Sequence, residues 1–223
     1  MIVTVAARTS ALSKAQFSEV YQAIQSYHPN VIFTATYIET HGDQDLKISL
    51  RGLEKTDFFT REIDNTLLEG KCDIAIHSAK DLPEPLREGL IIAALTQGID
   101  SSDVLVLKEG YTPETLPPHA IIATSSERRE ESVRELLNKE INFIDLRGTI
   151  QKRLEFITDG RADGIVVAKA ALIRLNLIHL NHYLLPGPTA PLQGKLAIVT
   201  RNNNQRMIEL FSCIDSRETS HVQ

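Results

Sequence analysis

Short runs of β-branched and aliphatic residues recur along the chain, and amphipathic stretches of helical period separate many of them. "IVTVAA" (2–7), "VIFTATYIE" (31–39), "IAI" (74–76), "LIIAAL" (90–95), "VLVL" (104–107), "AIIAT" (120–124), "INFID" (141–145), "GIVVA" (164–168) and "KLAIVT" (195–200) read as strands. Ser10 caps a helix whose Phe17, Val20, Tyr21 and Ile24 fall on one face. Further helices are predicted around 60–69 (Ile63, Leu67 and Leu68 inward), over 125–138 with Ser125 or Ser126 as cap, over 149–160 with Gly160 as terminator, over 169–177 and over 204–214. Strands alternating with helices of this length imply parallel sheets with helices on both faces. Ten or so strands are too many for one small sheet. Two α/β domains follow, with the chain crossing between them near 96–100 and 190–195. No internal repeat is visible, and the polar stretch over 40–59 is long for a connection in a compact domain.

Composition narrows the functions open to such a fold. A chain of 223 residues with a net charge of −5 lacks the basic balance of a dedicated nucleic-acid binder. No apolar run approaches the roughly 20 residues that span a bilayer, and the N-terminus lacks a secretory pattern, so a cytoplasmic protein is expected. Two cysteines, Cys72 and Cys213, are too few for a disulfide framework or a zinc site. No metal is expected, and Cys72 reads as a core thiol. Arginine outnumbers lysine, 14 to 10. Its planar fork suits carboxylates and phosphates, which directs attention to anion sites.

In open α/β sheets, ligands bind beyond the carboxyl ends of strands, where helix N-termini also point. The unusual polar clusters fall at such places. Arg8, Thr9 and Ser10 follow the first strand; His77, Ser78, Lys80 and Asp81 follow "IAI"; Thr124, Ser125 and Ser126 precede Arg128 and Arg129; Arg147 follows "INFID", with Arg153 just beyond Thr149; Arg174 follows "GIVVA". Cations in the first turn of a helix oppose its dipole by roughly 0.3–1 kcal/mol each. Glu127, Glu130 and Glu131 could neutralise that pair on a solvated face. Together with Arg8, Arg147 and Arg153, however, the arginines describe a pocket for a ligand bearing several carboxylates or phosphates. Asp81 is the discordant acid. It either pairs with Lys80 or caps the next helix, or it supports positive charge on a substrate or exchanges a proton with it.

The ordered set "AARTSALSKAQ" (6–16), "THGD" (40–43), "FFTREID" (58–64), "DIAIHSAKDLP" (73–83), "ATSSERRE" (123–130), "IDLRGTIQKRL" (144–154) and "AALIRLNL" (170–177) resembles the porphobilinogen deaminase (hydroxymethylbilane synthase) family. The resemblance covers nearly the whole chain. It implies two periplasmic-binding-protein-like (type II) domains with mixed, mainly parallel sheets and an active site in the cleft between them. Domain 1 would be discontinuous, 1–97 plus 195–223, and domain 2 would span 98–194. It further implies a monomeric transferase of tetrapyrrole and heme biosynthesis. Such an enzyme joins four porphobilinogen molecules head to tail, loses ammonia each time, and builds hydroxymethylbilane on a dipyrromethane cofactor held by a cysteine. No nucleic acid or membrane takes part. On that resemblance Asp81 is the catalytic carboxylate, and Ser78 and Lys80 contact the cofactor. Arg8, Arg128, Arg129, Arg147, Arg153 and Arg174 bind acetate and propionate groups, Ser10 and Ser126 donate supporting hydrogen bonds, and Phe59 is an aromatic beside the site. Segment 43–57 matches a mobile loop.

The sequence departs from the family pattern in two places. A third, C-terminal domain with a glycine-flanked cofactor cysteine is expected, and the sequence ends at Gln223 without a matching cysteine. Cys213 has no glycine loop around it and is not assigned that role. The loop lysine of the family aligns with Thr56, next to Lys55, and residues usually glycine are Glu54, Lys55, Thr56 and Asp57. Three readings follow: a short deaminase using a noncovalent primer or substrate alone, a partial enzyme whose third domain is supplied elsewhere, or a non-catalytic binder of tetrapyrroles or other polycarboxylates. Asp81 among the full arginine set favours the first.

Overall fold

A computed structural model describes residues 1–44 and 57–217. Residues 45–56, which hold most of the expected mobile loop with Glu54, Lys55 and Thr56, lie outside the described residues. The chain divides into two compact units, with the divisions after Ile99 and after Gly194. Each is built on one five-stranded sheet.

In the first unit, β1 (Ile2–Arg8), α1 (Ala11–Tyr27), β2 (Ile32–Ile38), the one-turn α2 (His41–Gln44), α3 (Arg61–Leu68), β3 (Ile74–Ser78) and β4 (Leu90–Leu95) come first in the chain. The chain returns to this unit after the second one. The sheet order is β2-β1-β3-β10-β4, where β10 (Leu196–Arg201) is that return. β10 pairs antiparallel with β3 on one side and with β4 on the other. Side chains alternate across the sheet, as strand geometry requires. Val3, Val5, Ile74, Ile76 and Ile198 pack with Val20 and Ile24 of α1 and with Met207 and Phe211 of α7 (Gln205–Phe211). Ala6, Ala75, Ala197 and Val199 face the other way, onto Ile63 and Leu67 of α3. Both faces of the central strands are covered, so β3 and β10 are buried along nearly their whole length.

The second unit contains β5 (Asp103–Leu107), β6 (Ile121–Ala123), α4 (Glu127–Leu137), β7 (Asn142–Ile144), α5 (Ile150–Thr158), β8 (Gly164–Ala168), α6 (Lys169–Arg174) and β9 (His182–Leu184), in sheet order β7-β6-β8-β5-β9. β6 runs parallel to β7 and β8, while β5 is antiparallel to β8 and β9. One strand in each sheet is therefore reversed, and four share a direction. Leu105, Leu107, Ile122 and Val166 pack with Val133 and Leu137 of α4.

Several elements differ from the sequence expectation. The helix predicted over 169–177 ends at Arg174, because Asn176 takes a left-handed backbone (φ 55°). The last helix stops at Phe211 and tightens into a 3-10 turn over Ser212–Ile214. β9 was not anticipated; it is three residues long and lies at a sheet edge. The two units also share a local turn. "EGKCD" (69–73) follows α3 and "DGRAD" (159–163) closes α5, each leading into a central strand. Gly70 and Gly160 take matching positive φ values of 72° and 70°. The two amides after each glycine bond the same carbonyl, Thr66 in one copy and Phe156 in the other. Asp73 then accepts from the amide of Thr4, and Asp163 from that of Ile121, both at 2.8 Å. In each case an aspartate at the foot of one strand clamps the backbone of its parallel neighbour.

The first core also holds a polar pair. Asp64 of α3 and His77 of β3 are buried, with Nε2 of His77 3.8 Å from Oδ1 of Asp64, too far for a hydrogen bond. Burial raises the Asp64 carboxyl from its ordinary 3.8 to about 6. Burial, with the Arg8 charge second, lowers His77 from 6.5 to about 4. The Asp64 contribution to stability is present below pH 3.8 and is lost as pH rises through about 6. The His77 contribution is present above pH 6.5 and is lost as pH falls through about 4. Between about pH 4 and 6 the two slopes oppose one another.

Two outcomes are expected. Phe211→Ala should cost about 3–5 kcal/mol in urea unfolding, because it empties a fully enclosed site; a loss below about 1 kcal/mol would show that α7 is not part of the first core. Asp64→Asn should expose the histidine slope, so that stability falls as pH drops from 6.5 toward 4. The unsubstituted protein should change little over the same range, and equal pH profiles for the two would overturn the assignment.

Candidate active site

Both units carry their polar clusters at the carboxyl ends of central strands. Arg8 closes β1, and its backbone N–H donates to Ser13 Oγ at 3.0 Å. Ser10 sits at the N-cap of α1, where its Oγ accepts from the Ser13 amide at 3.2 Å. The Arg8 guanidinium lies over the Phe59 ring, 5.0 Å from its centroid, a cation–π contact that fixes the direction of a long side chain. β1 and β3 run parallel with Ala6 opposite Ala75. Continued two residues on, that register sets Arg8 beside His77, which accounts for the pull of its charge on the imidazole.

Ser78 ends β3 and accepts from Gln16 Nε2 at 2.8 Å. Gln16 is itself buried on α1. A 3-10 turn over Ala79–Asp81 follows, tied back by the Ala79 amide to the Lys195 carbonyl at 3.0 Å. Lys80 is half-buried on this turn, and Asp81 is exposed. Leu82 and Pro83 are buried directly after it, so the exposed acid stands on an anchored turn. Among the described residues Asp81 neither pairs with Lys80 nor caps a helix.

In the second unit, Ser126 occupies the N-cap of α4 without a side-chain capping bond. Ser125 instead braces the next loop, donating to the Leu146 carbonyl at 3.1 Å and accepting from its amide at 2.8 Å. Arg128 and Arg129 converge on one carboxylate, that of Asp103 at the start of β5. Arg128 Nη2 reaches Oδ2 at 2.8 Å, and Arg129 Nε and Nη2 reach Oδ1 at 3.1 and 2.6 Å. Asp103 is 2% exposed in its side chain. Burial opposes its ionisation, but the two guanidinium groups outweigh that and hold the carboxyl below its ordinary range. The partner of the arginine pair is thus this aspartate, not the glutamates Glu127, Glu130 and Glu131 beside it in sequence.

The remaining arginines are also placed by backbone. Arg147 is half-buried in the turn before α5, next to Gly148 with φ 97°. Arg153 Nε donates to the Gly148 carbonyl at 2.8 Å, and Arg174 Nη2 to that of Gly194 at 2.9 Å. Within the first unit, then, Arg8 meets Phe59, and Ser78, Lys80 and Asp81 share one strand end. Within the second, Arg128 and Arg129 meet on Asp103. Sequence reasoning missed Asp103, Gln16 and Gln193. An acid opening the wholly apolar run "DVLVL" was the available signal for Asp103, since a carboxylate there must be paired. Gln16 closes the run "AARTSALSKAQ", but only the folded chain shows what it and Gln193 touch.

Covalent attachment of a cofactor needs an accessible thiolate. Cys72 is buried, and burial raises its thiol above the ordinary value. Cys213 is half-buried at the end of α7, donates to the Leu210 carbonyl, and is likewise raised by burial. Neither cysteine fits that role.

The family model described as "Porphobilinogen deaminase, dipyromethane cofactor binding domain" matches residues 3–209. The chain is 39% identical over 210 residues to a probable porphobilinogen deaminase of Chlamydia pneumoniae, covering 94% of this chain and 88% of that protein. It is 34% identical over 215 residues to a porphobilinogen deaminase of Chloroherpeton thalassium, covering 95% and 68%. Among solved structures it is similar to CbnR, a LysR-family transcriptional regulator, with a TM-score of 0.55, 11% identity and coverage of 94% and 68%. It is also similar to the L-cystine solute receptor of Neisseria gonorrhoeae, with a TM-score of 0.52, 15% identity and coverage of 96% and 85%. These two likenesses concern the fold alone, which is that of periplasmic-binding-protein-like type II domains. Taken with the strand-end clusters, the family match leads to one conclusion: this chain belongs to the porphobilinogen deaminase family.

Proposed function

We propose that the chain catalyses stepwise deamination and head-to-tail condensation of four porphobilinogen molecules to hydroxymethylbilane. The observation that carries this reading is Asp81: an exposed carboxylate on an anchored turn, next to Ser78 and Lys80 at the end of a central strand. Each condensation expels ammonia and leaves positive charge on a pyrrole. A carboxylate at the reacting carbon stabilises that charge and accepts the proton released when the new bond restores the ring. Arg8, Arg128, Arg129, Arg147, Arg153 and Arg174 bind the acetate and propionate groups, with Ser10 and Ser126 as donors and Phe59 setting the direction of Arg8. Charge-assisted bonds of this kind contribute about 1.5–3 kcal/mol each. The family's dipyrromethane would be bound here through its carboxylates.

Purified protein incubated with porphobilinogen, then oxidised in acid, should give the absorbance of uroporphyrin. Asp81→Ala should abolish that signal while binding of the polypyrrole product stays largely intact. Turnover unchanged by Asp81→Ala would remove the acid from the chemistry. A folded protein that binds polypyrroles but forms none would be a binder on the same scaffold. Arg147→Ala should weaken polypyrrole binding by about tenfold or more, the fold-change matching one charge-assisted bond; flat affinity would misplace the arginine site.

A further inference from the structure

We propose that Asp103 is a positioning residue that pre-arranges Arg128 and Arg129 as one fork for a ligand carboxylate, which rests on the reading of those two arginines as carboxylate binders. Asp103 is engaged on both oxygens. Oδ1 of Asp103 accepts from Arg129 Nε and Nη2 and from Gln193 Nε2 at 3.1 Å, and Oδ2 accepts from Arg128 Nη2. Oδ1 is fully used, and with the side chain 2% exposed the one remaining lone-pair direction of Oδ2 faces the protein interior, so this carboxylate does not touch a substrate. What it does is hold other groups.

The groups it holds would not otherwise stay together. Arg128 and Arg129 are adjacent in sequence, carry like charge, and stand in the first turn of α4, where the helix dipole repels cations. One buried carboxylate reverses that preference for both. Gln193 completes the arrangement: its Nε2 also donates to the Ser101 carbonyl at 2.7 Å, which ties the acceptor to the backbone at the start of β5. Arg128 Nη1 is fixed a second time by the Pro188 carbonyl at 2.6 Å.

The donors left over define what the fork can take. Each guanidinium has five N–H donors. Arg128 commits two, to Asp103 and Pro188, and Arg129 commits two, to Asp103, so three remain on each. Two positive charges against one negative leave an excess of one. That matches a single carboxylate, received by guanidinium groups whose orientation is settled before the ligand arrives. Such pre-organisation removes the side-chain ordering that two mobile arginines would undergo on binding.

The proposal makes a prediction opposite in sign to simple electrostatics. Asp103→Asn raises the net positive charge of the cluster by one, which alone should tighten binding of a polyanion. Positioning requires the reverse: a loss of affinity of about tenfold or more, the equivalent of one misaligned charge-assisted bond. The probe is uroporphyrin I, a stable tetrapyrrole bearing eight carboxylates, titrated by fluorescence against the full chain at a temperature where thermal melts show each variant folded. Asp103→Glu keeps the charge and moves the carboxylate by one methylene, so it should also weaken binding, and it decides the matter if Asp103→Asn does not fold. In the unsubstituted protein the Arg129 Nε–H should exchange slowly by nitrogen-resolved NMR, and that protection should vanish in Asp103→Asn. Unchanged or tighter binding by Asp103→Asn, or unsubstituted affinity in Asp103→Glu, would overturn the proposal. Arg129→Ala separates the two layers of the argument. If it weakens binding while the Asp103 variants do not, positioning fails and the arginine reading stands; if Arg129→Ala binds as the unsubstituted protein does, both fail.

Discussion

The first unit depends on one strand that arrives late. β10 lies between β3 and β4, and its antiparallel ladders to both make one sheet out of two pieces. Without it, β4 would have no partner, and the turn that carries Asp81 would lose its tie to Lys195. The helix after it supplies Met207 and Phe211 to the core beneath β1 and β3. β5 has the same place in the second sheet, reversed between β8 and β9, and its first residue is the aspartate on which Arg128 and Arg129 converge. In both units, the reversed strand is also the one bound to the polar strand ends.

Buried charge is treated differently in the two units. Asp103 meets two guanidinium groups and an amide at hydrogen-bonding distance, so its ionised form is held. Asp64 and His77 stand 3.8 Å apart, and burial drives both toward neutrality. The deciding quantity is donor supply. A carboxylate with several donors overcomes its desolvation, and one without them is favoured as the neutral acid. Neutral His77 beside Arg8 also spares that arginine a second cation at close range.

Much of this was legible in the sequence. Short apolar runs such as "GIVVA" and "LIIAAL", bounded by polar and turn residues, read as strands, and the cap at Ser10 is local chemistry confined to neighbouring residues. β9 was not legible, because a three-residue edge strand carries no period of its own. The turn shared by the two units leaves little trace in the sequence, because only the glycine and the aspartate of "EGKCD" and "DGRAD" are common to both. What is shared is the backbone bonding that those two residues allow. Arg8 and Ser78 were expected at strand ends, and the fold places both there, while Arg153 and Arg174 lie on helices. The hidden part was the supporting layer. Asp103 lies 25 residues from Arg128, and Gln193 lies 90 residues from Asp103, separations at which no sequence pattern reports contact.

The position of β10 has a further consequence during synthesis. The second unit is built between the divisions after Ile99 and after Gly194, so it can complete its sheet as soon as that stretch leaves the ribosome. The first unit cannot, because about a hundred residues separate the end of β4 from the start of β10, roughly 5–20 s of translation. Over that interval β3 and β4 each present a row of unpaired amides and carbonyls where β10 will insert, a template for unwanted strand addition. The later-encoded unit therefore matures first. The N-terminal unit waits, and it is the one exposed to aggregation and to chaperone capture.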